Sequence, residues 1–195
     1  MKTWLLIALL PLCALAEGPA GLTKARAELA EMEQRYAENH PKLVAQRLRV
    51  EAWSRLARER PGEPGVLLQA RVELVVLEAK YLERHPSRQE QAARVAAMEQ
   101  ERARDPKTPG LLLEALADEA AMAQRYAEQN PRLLDQRRKV AALRAEIANE
   151  QGGPLELRLA RAARDYYAGR YGREHPKLLE AEQALAALQG SGGKP

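Results

Sequence analysis

Apolar residues fall on a strict schedule from the twentieth residue onward. Leu22, Ala25, Leu29, Met32 and Tyr36 are spaced 3, 4, 3 and 4, and Leu67, Ala70, Leu74, Leu77 and Tyr81 repeat that spacing. Such alternation marks the a/d seam of a helix packed along a neighbour. A second stripe follows each first one: Leu43, Val50, Trp53 and Ala57 in one stretch, Leu133, Val140, Leu143 and Ile147 in another. The segments predict helices of about 20 residues, or about 30 Å. Between them lie the breakers "RPGEPG", "DPKTPG" and "QGGP", whose prolines and glycines interrupt a helix. The pattern therefore predicts eight helices in four pairs.

The pairs are copies of one unit. Tyr36, Tyr81, Tyr126 and Tyr171 stand 45 residues apart, as do Pro41, Pro86, Pro131 and Pro176. Pro19, Pro64, Pro109 and Pro154 open the units, and leucine and alanine columns keep the same interval (Leu22, Leu67, Leu112, Leu157; Ala25, Ala70, Ala115, Ala160; Ala52, Ala97, Ala142, Ala187). A fixed period in this range is the signature of a repeat architecture. The expected fold is all-α: four tandem 45-residue helical hairpins stacked as an α-solenoid, with units at 19–63, 64–108, 109–153 and 154–189. A coiled-coil rod is the alternative, because Tyr36, Leu43 and Val50 keep a spacing of seven across the corner. Since 45 is not a multiple of seven, the heptad phase slips at every unit, which favours hairpins.

The corners carry the most repetitive chemistry. Tyr36, His40 and Pro41 return as Tyr81, His85 and Pro86, as Tyr126, Asn130 and Pro131, and as Tyr171, His175 and Pro176. Proline suits the first turn of a helix and pushes the residue before it out of helical geometry. His or Asn then falls at the N-cap, where a side-chain acceptor is needed. Asparagine in one copy points to capping, because it neither relays protons nor ligates metal well. These residues are expected to be structural, with no catalytic and no metal site among them. Gln46, Gln91 and Gln136 lie on the seam of the second helix, where a buried polar residue sets register; the fourth copy has Ala181. Arg47, Arg49 and Arg55 are a candidate anion site, read against the plainer expectation of a solvated face.

Residues 1–16 are a different material. Lys2 precedes the apolar run "TWLLIALLPLCALA", which ends in Ala14, Leu15 and Ala16. That composition predicts a secretory signal cleaved near Ala16, too short to span a bilayer. Leu12 before Cys13 departs from the small residue that lipoprotein leaders resemble, which argues against a lipid anchor. The mature chain would then lack cysteine and use no disulfides in an exported setting. Its formal charge would fall from +4 to +3 with loss of Lys2, too mild a balance to argue for nucleic acid. Phe is absent, so the core must be built from Leu, Val and Ala in closely packed helices. The tail from Gly190 to Pro195 is expected to be disordered.

The stretch "LAEMEQRYAENHPKLVAQRLRVEAW" resembles the periplasmic coiled-coil segment of bacterial polysaccharide chain-length determinant proteins. That resemblance implies a helical region in the periplasm; the flanking membrane helices of the family have no counterpart here, so control of polymer length is not implied. The corners are also similar to those of long tetratricopeptide repeats, from which the period of 45 departs. No phosphate loop, HExxH, paired-cysteine site or nucleophile elbow occurs. The serine and threonine nucleophiles after residue 16 are few: Ser54, Ser87, Ser191, Thr23 and Thr108. These readings lead to an exported, non-enzymatic scaffold or adaptor without a cofactor, binding a protein partner in the cell envelope. The alternatives are a self-associating coiled-coil spacer, hence a homo-oligomer, and a binder of anionic glycan or lipid.

Overall fold

A computed structural model of the chain describes residues 20–149 and 153–191. The predicted signal, residues 1–16, lies outside them, as does the tail from 192. The described residues form eight helices and no strand. They are α1 (Ala20–Arg35), α2 (Pro41–Glu59), α3 (Gly65–Lys80), α4 (Pro86–Arg104), α5 (Gly110–Arg125), α6 (Pro131–Ala148), α7 (Leu155–Arg170) and α8 (Pro176–Ser191). Each helix packs on the next in the chain, α1 on α2 through α7 on α8. The architecture is thus all-α with four hairpins in series, and the corners are turns. The rod is overturned: a helix continuing through His40-Pro41 could not lie against itself, and the first-half stripes would have no partner to cover them.

Two expectations of length are corrected. The first helix of each unit has 16 residues, and the second helices have 16 to 19. The apolar spacing runs on to Tyr36, but the helix ends at Arg35. At the equivalent positions Tyr81, Tyr126 and Tyr171 the backbone is extended, with φ from −130° to −121°. The tyrosine amide still reaches back to the last turn, as in Tyr81 N–H to the Leu77 carbonyl at 2.8 Å. A five-residue corner then separates the helices. At the other boundary α8 continues through Gly190 to Ser191, past the expected start of the tail.

Within a hairpin the alanine column sets the closeness of approach. Ala25, Ala70 and Ala115 are buried on the first helices. With so little side chain there, the amide of the facing glutamine reaches the helix backbone itself. Gln46 Nε2 donates to the Ala25 carbonyl at 2.9 Å, Gln91 to Ala70 at 2.8 Å, and Gln136 to Ala115 at 2.7 Å. The same bond recurs at the same offset of 21 residues, so a slide of one turn would break it and bury an unpaired amide.

Between hairpins the core is shared. Leu22, Ala52, Trp53 and Leu56 of the first unit pack with Leu68 and Val72 of the second. Leu67, Val95 and Met98 of the second pack with Leu113 and Ala117 of the third. Leu112, Val140 and Leu143 of the third pack with Ala162 of the fourth. Every core therefore takes one wall from the following unit, the nearest-neighbour logic of a solenoid. Ion pairs between units keep an offset of their own, 24 residues. Arg49 clasps Glu73 through Nε at 3.0 Å and Nη2 at 2.9 Å, and Arg94 meets Asp118 at 2.6 Å. These pairs are partly exposed, so Arg94→Ala should cost no more than about 1 kcal/mol in urea unfolding.

The last junction is built differently. The next basic residue, Lys139, faces a column occupied by Ala163. In place of that pair, Asp135 accepts from the Tyr166 hydroxyl at 2.8 Å and pairs with Arg170. Arg158 stands where the earlier units carry Leu68 and Leu113. Its Nη1 donates to the Glu146, Ile147 and Asn149 carbonyls at 2.9–3.1 Å, closing the C-terminal end of α6. α7 buries Ala162 alone among its side chains. The fourth unit joins the stack through fewer buried apolar side chains than α3 and α5 supply, and through added polar contacts.

Candidate interaction surface

All four corners lie at one edge of the stack, because every first helix runs toward it and every second helix runs back. Pre-proline geometry places His40, His85 and Asn130 in the extended region, with φ near −66° and ψ near 130°, which is also the backbone an N-cap requires. His Nδ1 accepts from the amide two residues on, Lys42, Ser87 or Lys177, at 3.2–3.3 Å. Asn130 Oδ1 does the same from Arg132 at 2.9 Å. Accepting at Nδ1 puts the proton of the neutral ring on Nε2, an assignment that follows from the bonding.

The tyrosine column completes each corner. Tyr36, Tyr81 and Tyr171 stack on His40, His85 and His175 with ring centroids 4.2, 3.8 and 3.7 Å apart. This explains why the chain leaves the helix at the tyrosine: extended backbone lays the ring over the imidazole. Asn130 offers no ring, and there the Tyr126 hydroxyl accepts from Arg132 at 3.2 Å. His85→Asn keeps the cap and loses the stack, whereas His85→Ala loses both. We expect about 0.5–1 kcal/mol for the first and about 1.5–2 kcal/mol for the second in urea unfolding.

Exposed aliphatic residues collect on this edge. Val44, Leu134 and Leu179 share one column in the first turn of the second helices and are 52%, 39% and 43% exposed. Leu82, just after Tyr81, is 86% exposed. Isolated exposed leucines are ordinary, but here they recur in register along the line of the corners. Leu111 and Leu155, the other large exposed ones among the described residues, sit at the opposite ends of the hairpins.

The junctions between units open onto the same edge. In the second and third junctions a carboxylate on the second helix pairs with an arginine ending the next first helix: Glu90 with Arg125, and Asp135 with Arg170. The hydrogen bond from Arg125 holds the Glu90 carboxyl below its ordinary range, and burial pushes the Tyr166 hydroxyl up. The first junction has no such pair, and a notch remains between α2 and α3.

The candidate anion site is not assembled. Arg49 is taken up by Glu73 and donates to Gln46 Oε1 at 2.6 Å. Arg47 pairs with Glu33 at 3.3 Å and Glu38 at 3.9 Å. Arg55 is exposed on another side of α2. Among the described residues no three His, Asp or Glu side chains are grouped to hold a metal ion, and no helix is long and apolar enough to cross a membrane.

The inter-unit pairs were the contacts that reading single segments missed. Aligning the copies on their 45-residue period exposes both columns: acids at 28, 73 and 118, bases at 49, 94 and 139. Comparison of the chain with protein-family models, with curated proteins and with solved structures finds no match.

Proposed function

We propose that this protein is an exported, non-enzymatic scaffold that holds another protein of the cell envelope along the corner edge of its stacked hairpins. The observation that carries the reading is the column Val44, Leu134 and Leu179: aliphatic side chains left in solvent at matched positions of three units. The second unit has Gln89 in that column, with exposed Leu82 nearby at its corner; exposed apolar residues grouped on one edge are what a protein interface uses. The leader of residues 1–16 supports export.

The spacer reading draws less support from the ends of the stack. The outward side of α1 presents Thr23, Ala27 and Glu31 where α3 has Leu68, Val72 and Val76. The outward side of α8 presents Gln183, Ala184 and Ala187. Small and polar faces on α1 and α8 offer little apolar surface for stacking a second copy, which weighs against head-to-tail rods.

The test is photo-crosslinking in cells with a reactive residue at position 44, 134 or 179, against controls at Glu59 and Arg104 on the far edge. A common heterologous adduct from the three corner positions, and not from the controls, is the expected result. Adducts only between copies of this chain would transfer the reading to the spacer. Equal labelling at both edges would remove it. Mass analysis of the exported protein should find Glu17 as the first residue.

A further inference from the structure

The first junction lacks an ion pair that the other two share at one pair of columns. Where α4 has Glu90 and α6 has Asp135, α2 has Ala45; where α5 and α7 end in Arg125 and Arg170, α3 ends in Lys80. The base is kept and its acid is missing. Here α2 and α3 bound a notch of about 390 Å³, open along one side; the third junction has a hollow of about 330 Å³ at the same place, with its ion pair, Asp135 and Arg170, in the wall. The floor of the first notch is Val44, Ala45, Leu48, Val76 and Ala79, and Lys42 and Lys80 stand on its rim.

Neither lysine meets a carboxylate among the described residues. The Lys42 ammonium lies 5.9 Å from the centroid of the Tyr36 ring, and that of Lys80 lies 5.0 Å from the centroid of Tyr81. The rings position two cations beside an apolar floor without neutralising them. At the same depth in the third junction the residues are Arg138, Tyr166 and Gly169 in place of Leu48, Val76 and Ala79. The first junction is thus both the more apolar and the one without its own anion.

We propose that this notch docks an acidic amphipathic helix of the partner protein. An aliphatic side chain of that helix fills the floor, and a carboxylate beside it takes the place, facing Lys80, that Glu90 and Asp135 hold in the later junctions. The inference rests on the scaffold reading and names the partner's chemistry. A helix suits the site because the notch is a trough between two parallel-lying helices, continuous with exposed Val44, and helix-in-groove recognition uses such troughs. A free acyl chain needs deeper enclosure to bury most of its surface.

The probe is a fluorescein-labelled model helix of about four turns, with leucines on one stripe flanked by glutamates. Binding to the full chain after leader removal is followed by fluorescence anisotropy. The peptide should bind, and its glutamine counterpart should bind about fivefold more weakly. Lys80→Gln should cause a similar loss. Ala45→Glu, which restores the missing carboxylate opposite Lys80, should weaken the peptide at least about tenfold while leaving Tm unchanged or higher. No binding, or equal binding to Ala45→Glu, overturns the proposal; so does dodecanoate saturating the notch while the peptide does not. If cross-links from positions 134 and 179 persist under such an outcome, the docking chemistry is wrong and the scaffold stands. If those cross-links are missing, the scaffold reading itself has failed.

Discussion

Leu113→Ala should lower the free energy of unfolding by about 3–5 kcal/mol, and Leu111→Ala, two residues earlier in the same helix, by less than about 0.5 kcal/mol. Leu113 has no exposed surface and packs with Leu67, Val95, Met98 and Ala117. Those neighbours belong to the second and third units, so the truncation opens a cavity at the middle of the stack. Rigid helices on both sides cannot close over it, because their spacing is fixed by Gln91 on one side and Gln136 on the other. Leu111 is 38% exposed and leaves only a dimple filled by water. Urea denaturation followed by circular dichroism measures both. Equal effects would mean that the second and third units do not share a core.

Gly21→Val should cost about 2–3 kcal/mol alone, and most of that loss should return in the double variant Gly21→Val/Trp53→Met. The reason is a close approach. A Cβ on Gly21 would overlap the edge of the Trp53 ring, which is 5% exposed and held between α1, α2 and α3. Helix propensity by itself favours replacing the glycine, by about 1 kcal/mol for alanine; the clash outweighs it. The chain carries its own control. The second unit has Val66 and Met98 at these two columns, and the third has Leu111 and Leu143. A glycine is therefore needed only where the facing residue is tryptophan. Trp53→Met alone should lose about 1–2 kcal/mol from the space left over Gly21. A thermodynamic cycle over the four proteins reads the coupling directly, and strictly additive losses would show that the two residues do not share one volume.

The helices and their pairing were legible because the period of 45 repeats every structural decision four times. Prolines 41, 86, 131 and 176 stop and restart the chain at the same place, and the a/d spacing names the buried stripe. Tyrosine was the misleading residue. Its ring continues the heptad spacing, yet Tyr81 is extended and stacks on His85 at 3.8 Å; no periodicity distinguishes an aromatic that ends a helix from one inside it. The arginines of α2 looked like a solvated or anion-binding face because their acids are distant in sequence: Glu73, for Arg49, lies 24 residues ahead in another unit, and Glu33, for Arg47, lies 14 residues back on α1. The notch was invisible for a different reason. Its unpaired Lys80 comes from one alanine, Ala45, standing where later copies carry an acid, and its meaning exists only beside Glu90 and Asp135.

The offset pairings also decide how such a gene can change length. A duplicated second unit inserted after residue 108 would find every partner it needs: its Asp118-facing arginine, its leucines for the neighbouring core, and Glu73 ready for the arginine before it. A unit appended after α8 would meet Ala184 where the first two junctions have Arg49 and Arg94. In evolutionary terms the array is a sentence that takes a copied word most readily in its middle, where both neighbours already carry the matching residues.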